Sequence, residues 1–309
     1  MREAPFVYQP WVGKWGTPAA GMAWIGTALT AGHLGAHGSP IAALAVLAGA
    51  AIVIAISSRW LARRGVLRGQ TAGVNLEATR GAPKLWLVAH LDSKSQPVSI
   101  LVRAGAIVGC VAAWAAMVAA AATTAPTGVW LPLTLVGVLC GIPVALSTVG
   151  AKSSGALDNA TGVATVLLAA ERIPRSLPLG VLLTSAEELG LAGARSWVRD
   201  QSTTGAVINC DTIDDHGYLT IMHSHGRPER LIRAFEQRAV RPRRVLPGIL
   251  VDSVPFAEAG WDAVTLSRGT LATLARIHRR ADAPNAVTGT GVAEAASVVA
   301  QVVEQLLHV

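Results

Sequence analysis

The chain has 309 residues, of which 51% are hydrophobic and only 15% are charged. Soluble domains average about 25% charged residues, so this composition is not that of an ordinary soluble domain. The net charge of +7 comes without a recognisable nucleic-acid-binding motif, which excludes a nucleic-acid partner, and many cations flank apolar runs instead. Three scattered cysteines indicate free thiols in a reducing compartment, with a Cys110–Cys140 pair as the alternative.

Two apolar segments lie near the start of the chain, after 17 residues that are too rich in Pro, Gly and charges for a signal peptide. Residues 40–57 carry no charge over 18 positions, and a helix needs about 20 residues to cross a bilayer. Residues 17–35 are apolar and rich in Gly and Ala, and a short turn at 37–40 follows them. The sequence therefore predicts an N-terminal transmembrane hairpin within residues 1–68.

A second apolar region covers residues 104–151, where 48 positions pass without a charge. It divides into segments 104–122 and 128–149 around a turn at 123–127. Two buried helices of a soluble protein are the alternative, but helices of this length in water need a polar side. We therefore predict an inserted transmembrane hairpin at 99–149 and about four membrane helices in all.

Lys and Arg residues flank the apolar segments, whereas the two turns at 37–40 and 123–127 contain neither. The flanking cations are Arg2, Lys14, Arg59, Arg63, Arg64, Arg68, Arg103 and Lys152. Because cytoplasmic segments are enriched in Lys and Arg, this pattern predicts a multi-pass plasma-membrane protein with both termini, and the domain outside the apolar segments, in the cytoplasm. The lipid bilayer is then one partner of the chain.

Residues 69–98 and 150–309 alternate between strand-like and helix-like patterns. Strands are predicted at 85–89, 179–184, 206–210, 218–222 and 263–266, and helices at 159–173, 189–198, 228–240 and 291–307. Such alternation is typical of a three-layer α/β/α sandwich with a mixed, mostly parallel central sheet. The sequence thus predicts one α/β domain in two parts, 69–98 and 150–309.

Ionisable side chains follow several of these strands. His90 and Asp92 follow the first, Glu187 and Glu188 follow the second, and Asp211 follows the third. Functional residues gather at the carboxyl ends of strands in open α/β sheets, and His with carboxylates suits zinc or a similar divalent ion. Each residue alone also has a structural interpretation, such as a helix cap or an ion pair, so their order along the chain carries the argument.

Five short motifs, in order, resemble those of the co-catalytic zinc aminopeptidases. This family includes aminopeptidase Y, bacterial secreted aminopeptidases and glutaminyl cyclases. The motifs are His-Leu-Asp-Ser at 90–93, Gly-Ala-Leu-Asp-Asn-Ala-Thr-Gly at 155–162, Ser-Ala-Glu-Glu-Leu-Gly-Leu-Ala-Gly-Ala at 185–194, Asn-Cys-Asp at 209–211 and Ile-His at 277–278. The resemblance covers residues 72–98 and about 150–308.

The resemblance implies two Zn²⁺ ions, with other divalent metals as alternatives. Asp158 would bridge the two ions. His90 and Asp211 would complete one site, and Glu188 and His278 the other.

The same resemblance assigns roles beside the metals. Glu187 would act as general base and then general acid on the attacking water. Asp92 would orient His90, as metal-bound histidines usually require. The peptide bond between Asp158 and Asn159 would be cis.

Departures from the family pattern affect the surroundings of the site. The link between His90 and Asp158 holds 67 residues, far more than is usual, because it contains the apolar hairpin. Ser253 stands where the family has a His before Pro-Phe, which affects the substrate pocket. Asp282 is a candidate partner for His278.

These features predict a membrane-bound zinc metallopeptidase that removes N-terminal residues from a peptide substrate. A glutaminyl cyclase or another amide hydrolase on the same scaffold is the first alternative, although cyclases use one metal. A receptor-like protein without activity is the second, although such relatives lose metal ligands. A transporter would need ionisable residues inside its spans, and only His33 lies in one.

Overall fold

The computed structural model describes residues 1–60, 69–246 and 249–308. Its contacts divide the chain into two compact units. A sheet unit contains Met1–Pro10, Val66–Ser95 and Ala151–Val309, and a helical unit contains Trp11–Gly65 and Gln96–Gly150. Both apolar regions therefore lie in the helical unit, although they are far apart in sequence.

The helical unit is built from four long helices within the described ranges: α1 (Pro10–Ala36), α2 (Pro40–Trp60), α3 (Ile100–Ala122) and α4 (Trp130–Ala145). Three stretches are long and apolar enough to cross a membrane, namely Pro40–Ser57, Ile100–Ala122 and Thr127–Ala145. The predicted first span, residues 17–35, is helical, but α1 does not meet the same criterion. Length and composition thus support three of the four predicted spans.

Small residues allow the helices of this unit to pack closely. A Cβ atom added at Gly21 would lie 2.3 Å from the backbone nitrogen of Ala145, and one at Gly35 would lie 2.1 Å from the Trp130 ring. The indole of Trp24 donates a hydrogen bond of 2.8 Å to the Gly137 carbonyl. Close backbone approach through small residues is typical of helix packing in membranes.

The sheet unit contains an eight-stranded sheet among the described residues. Its strands are β1 (Arg2–Tyr8), β2 (Thr71–Arg80), β3 (Leu85–His90), β4 (Leu179–Thr184), β5 (Ala206–Ile213), β6 (Tyr218–His223), β7 (Arg241–Arg244) and β8 (Asp262–Gly269). Their order is β1-β2-β4-β3-β5-β8-β6-β7. The central strands β4, β3, β5 and β8 run parallel, whereas β1, β2 and β6 pair in antiparallel fashion.

Helices cover both faces of the sheet. On one face lie α5 (Thr161–Arg172), α7 (Glu229–Glu236) and α10 (Thr290–Leu307), and on the other lie α6 (Ala192–Arg199) and α8 (Ser253–Glu258). The short helix α9 (Leu271–Arg276) follows β8. Strand β3 shows the alternation directly: Leu85, Leu87 and Ala89 enter the core under α5, whereas Trp86 and Val88 enter the aromatic core around Trp197. A strand buried on both faces reads as a continuous apolar run, as residues 85–89 do.

The predicted α/β fold with a mostly parallel central sheet is confirmed, and so are the five predicted strands. Three strands were not predicted: β1, β2 and β7. The predicted helix at 228–240 ends earlier, at Glu236, and part of the Arg-rich run that follows forms the edge strand β7.

The N-terminal boundary of the apolar hairpin needs correction. The interval 1–68 begins with β1, which pairs along its length with β2, from Arg2 opposite Glu77 to Tyr8 opposite Thr71. Strand β1 therefore belongs to the sheet. Of the cations used to predict orientation, Arg63, Arg64 and Arg68 lie outside the described residues.

Candidate metal centre

Three neighbouring parallel strands deliver ionisable side chains to one edge of the sheet. His90 is the last residue of β3. The neighbouring strand β4 is followed by Glu187 and Glu188, and Asp211 lies near the carboxyl end of the other neighbour, β5. Parallel strands end at the same edge, so residues distant in sequence meet there.

The fourth element of the site is the turn that carries Asp158. Its peptide bond to Asn159 is cis, as the resemblance implies. Gly155 opens the turn at φ +66°, and a Cβ there would lie 2.6 Å from the Cβ of Ser93, so no larger residue fits. The Asn159 side chain donates to the Cys210 carbonyl at 3.0 Å and accepts from the Thr212 amide at 3.1 Å. The turn is thereby tied to the end of β5.

The first cluster of ligand atoms joins His90, Asp158 and Asp211. The Nε2 atom of His90 lies 3.1 Å from Oδ1 of Asp158 and 3.9 Å from Oδ1 of Asp211. The Nδ1 atom of His90 lies 2.9 Å from the backbone carbonyl oxygen of Asp92, which fixes the ring. With Nδ1 donating to that oxygen, Nε2 presents its lone pair to the cluster.

The second cluster joins Asp158, Glu188 and His278. The Nε2 atom of His278 lies 2.9 Å from Oδ2 of Asp158 and 3.0 Å from Oε1 of Glu188. His278 itself has a left-handed backbone, with φ +60°, which turns its ring into the site. Asp158 therefore contributes one oxygen to each cluster.

The donor atoms fit divalent ions. In each cluster the three ligand atoms lie within 4.8 Å of one another, and their residues are nearly all buried. Buried Oε1 of Glu188 has no hydrogen bond among the described contacts although His278 is close. Two imidazoles and three carboxylates are ligands that zinc prefers, and they offset most of the charge of two such ions.

Asp92 and Glu187 stand beside the clusters, and the structure refines what Asp92 does. Its carboxylate accepts hydrogen bonds from the backbone amides of Glu187 and Glu188, at 3.0 and 3.1 Å. The same carboxylate lies 3.8 Å from Nδ1 of His90, farther than the Asp92 backbone carbonyl. Asp92 therefore orients His90 through its backbone and holds the paired-Glu turn through its side chain.

Burial and neighbouring charges perturb the acid–base groups of the site. Burial raises the pKa of Glu187 well above its ordinary value, the imidazole of His90 opposes this, and the Glu188 carboxylate adds to it. Burial alone would raise the pKa of Asp158, but the imidazoles of His278 and His90 beside it hold that pKa well below its usual range. Carboxyl groups in one site with divergent pKa values are typical of acid–base catalysis.

Asp282 was a candidate partner of His278, but Nδ1 of His278 has no hydrogen-bond partner among the described residues, and Asp282 bonds to the turn that carries Asp158. Oδ1 of Asp282 accepts a hydrogen bond of 2.6 Å from the Leu157 amide, and its Oδ2 one of 3.3 Å from the Asp158 amide. Asp282 thus holds the bridging turn in place.

Several functional residues were missed by sequence reasoning. Lys94 forms an ion pair with Oε2 of Glu188. It directly follows the His-Leu-Asp-Ser motif, but no pattern in the sequence indicates that it reaches Glu188. Asp252 is fully buried beside Thr184, and burial raises the pKa of its carboxyl to about 7. Asn75, on the unpredicted strand β2, accepts from the Ser185 amide and donates to the Gly193 carbonyl, so it braces the loop that carries the paired Glu residues.

Comparison with solved structures places the fold. The zinc aminopeptidase BSAP from Bacillus subtilis superposes with a TM-score of 0.50 and 17% identity, covering 78% of this chain and 52% of that one. An aminopeptidase from Aneurinibacillus sp. strain AM-1 gives 0.49 and 16%, covering 81% and 54%, and LapA from Legionella pneumophila gives 0.49 and 14%, covering 76% and 54%. The chain thus spans about half the length of these solved relatives. No curated protein matches the sequence.

The sequence family agrees with the fold and with the ligand clusters. The family model of peptidase family M28 matches residues 144–303, slightly more than half of the chain, and the chain belongs to that family. The predicted resemblance to the zinc aminopeptidases is therefore confirmed. The match begins at residue 144, near the end of α4, so His90 lies outside the matched stretch and joins the site through the fold.

Proposed function

We propose that this protein is a membrane-anchored aminopeptidase whose active site holds two zinc ions. The observation that carries the proposal is the sharing of Asp158 between two clusters of zinc-type ligands. His90 and Asp211 are the other ligands of one ion, and Glu188 and His278 those of the second. A single structural ion would not need a carboxylate with one oxygen directed at each of two clusters.

Bound zinc supplies a water of lowered pKa and a Lewis acid for the substrate carbonyl oxygen. The Glu187 carboxylate accepts the proton of the attacking water, because it is buried beside the clusters and makes no hydrogen bond or ion pair with the described residues. Its raised pKa strengthens it as a base and lets the carboxyl group hold that proton until the leaving amine nitrogen, a stronger base, takes it. Asp92 acts as a positioning residue, since it holds the amides of Glu187 and Glu188.

Selection for a free amino terminus follows from the charge of the site. Asp158, Glu188 and Asp211 would be engaged by zinc, and the buried carboxyl group of Glu187 would remain beside them to face a substrate amine. A protonated substrate amine would be attracted to this carboxyl group, whereas an internal peptide segment offers no such cation.

The first test compares leucine amide with N-acetyl-leucine amide as substrates of the zinc-loaded full chain. We expect the free-amine substrate to be hydrolysed at least about 100-fold faster in kcat/KM, because acetylation removes the cation that the Glu187 carboxyl group recognises. The release of ammonia measures both rates, and the Glu187→Gln protein prepared identically controls for contaminating peptidases. Equal rates for the two substrates would contradict N-terminal specificity while leaving the metallopeptidase in place.

Membrane anchoring by four helices is supported by the pairing of the sheet. Strands β1 and β2 are neighbours in one sheet, yet α1 and α2 lie between them in the chain. An even number of crossings must separate two strands on the same side of a membrane, so α1 crosses if α2 does. With 27 residues α1 spans about 40 Å, which is sufficient despite its lower hydrophobicity. The same parity holds for α3 and α4, which lie between β3 and Asp158.

This topology predicts that the turns between paired helices face away from the cytoplasm. In a background without native cysteines, we expect Ser39→Cys and Thr127→Cys to react with a membrane-impermeant maleimide on intact cells. Both turn residues are exposed, and so is Lys84 of the sheet unit. Lys84→Cys should react only after lysis. Labelling of the two turns only after lysis would reverse the orientation derived from the cations.

A further inference from the structure

The surroundings of the two zinc clusters differ, beginning with the histidines. The Nδ1 atom of His90 donates to the Asp92 carbonyl oxygen at 2.9 Å, and the Asp92 carboxylate lies nearby at 3.8 Å. The Nδ1 atom of His278 is buried and has no hydrogen-bond partner in the described part of the chain. Loss of such a partner typically weakens metal binding by about 10–100-fold. The cluster around His278 therefore lacks a support that the cluster around His90 possesses.

The nearest outside charge also differs between the clusters. Oε1 of Glu188 faces His278 at 3.0 Å and is the oxygen available to an ion, whereas Oε2 is paired with the ammonium of Lys94. The side chains of Lys94 and Glu188 are only 17% and 5% exposed, so water screens this cation weakly. A fixed cation one carboxylate away from a divalent ion opposes its binding. At the other cluster the corresponding outside charge is the Asp92 carboxylate, which is negative.

From these two differences we infer that the metal positions bind zinc with unequal affinity, and that Lys94 weakens the Asp158–Glu188–His278 position. The inference rests on the two-zinc site proposed above. It assigns Lys94 a role in metal affinity: the lysine keeps Glu188 directed into the site and lowers the occupancy of the second ion at low free zinc. The position at His90, Asp158 and Asp211 fills first.

The test measures zinc per chain against free zinc set by a chelator buffer, using metal-stripped full chain in detergent. The wild type should fill in two steps whose midpoints differ by at least about 10-fold in free zinc. Lys94→Met should move the second step to lower free zinc by about 10-fold or more, because the opposing charge is gone. Lys94→Gln removes the charge but keeps a donor for Glu188, so it should shift the step in the same direction even if the methionine variant folds poorly.

Matched variants assign the steps. Lys94→Arg retains the cation and should leave both midpoints near those of the wild type, and Lys152→Met, at an exposed lysine of the same unit, should change neither. His278→Ala should abolish the weaker step, and His90→Ala the tighter one. Coincident steps in the wild type, or a second step that stays in place or moves to higher free zinc in both Lys94→Met and Lys94→Gln, would overturn the inference. A wild-type chain that takes up no zinc would instead overturn the proposed function.

Discussion

Glu187→Gln should lower kcat by about 10²–10⁴-fold, with little change in zinc content, because it removes the proton acceptor and leaves the ligands in place. The substitution preserves the size of a side chain that is only 6% exposed, and the backbone amide of residue 187 can still donate to Asp92. Steady-state hydrolysis of leucine amide and elemental analysis of the same sample measure the two quantities.

Two controls separate chemistry from folding in that experiment. Glu171→Gln makes the same change at an exposed position on α5 and should leave kcat unchanged. With zinc stripped from both proteins, the melting temperature of Glu187→Gln should equal or exceed that of the wild type, because burial raises the pKa of Glu187 and disfavours its ionised form in the folded chain. A Glu187→Gln enzyme of full activity would refute the assignment of Glu187 as the base.

Asp158→Asn should remove most bound zinc and reduce hydrolysis to background. Each cluster depends on one oxygen of this carboxylate, and a neutral amide neither bridges two ions nor offsets their charge. The expected zinc content, after dialysis at a free zinc concentration that saturates the wild type, is less than one ion per chain.

The loss of zinc and activity should be specific to the carboxylate at position 158, so removing a carboxylate elsewhere should have no such effect. Asp262→Asn is the matched control, since Asp262 is exposed at the start of β8 and belongs to neither cluster. It should retain zinc and activity. If Asp158→Asn retained two zinc ions per chain, the bridging role would be wrong, and the two clusters would have to be reassigned.

How much of this site could be read from the sequence depends on the element that carries each residue. His90, Glu187, Glu188 and Asp211 follow apolar runs that are buried on both faces of the sheet, and such runs are easily recognised. Strands β1, β2 and β7 were not predicted because they lie at or near the sheet edges, where an exposed face mixes Arg, Glu and Pro with few apolar residues.

The residues that hold the ligands in place were harder to predict than the ligands. Asp282 lies 124 positions from the Asp158 amide to which it bonds, and Asn75 lies 110 positions from Ser185. No local pattern marks such partners, because their role exists only once the chain has folded. Lys94 was missed for the same reason: only the tertiary structure brings its ammonium to Glu188. Resemblance supplied the ligand set, but the contacts around it required coordinates.

The inserted helices show the same division between local and distant information. The sequence predicted four spans, and stretches in α2, α3 and α4 meet the criterion of length and composition for a membrane span, whereas α1 does not. The pairing of β1 with β2 then requires α1 to cross wherever α2 crosses. That argument depends on paired residues 63 to 75 positions apart, from Tyr8–Thr71 to Arg2–Glu77. The sheet therefore constrains the membrane topology that hydropathy leaves incomplete.

The most direct test of a zinc-dependent peptidase is removal and return of the metal from one preparation of the full chain. Leucine amide hydrolysis should fall to background when a chelator strips the chain, because zinc would lower the pKa of the attacking water and polarise the substrate carbonyl. When zinc is added back, activity should recover in proportion to the zinc bound per chain. Hydrolysis that persists at the wild-type rate in chain with no bound metal would contradict the account.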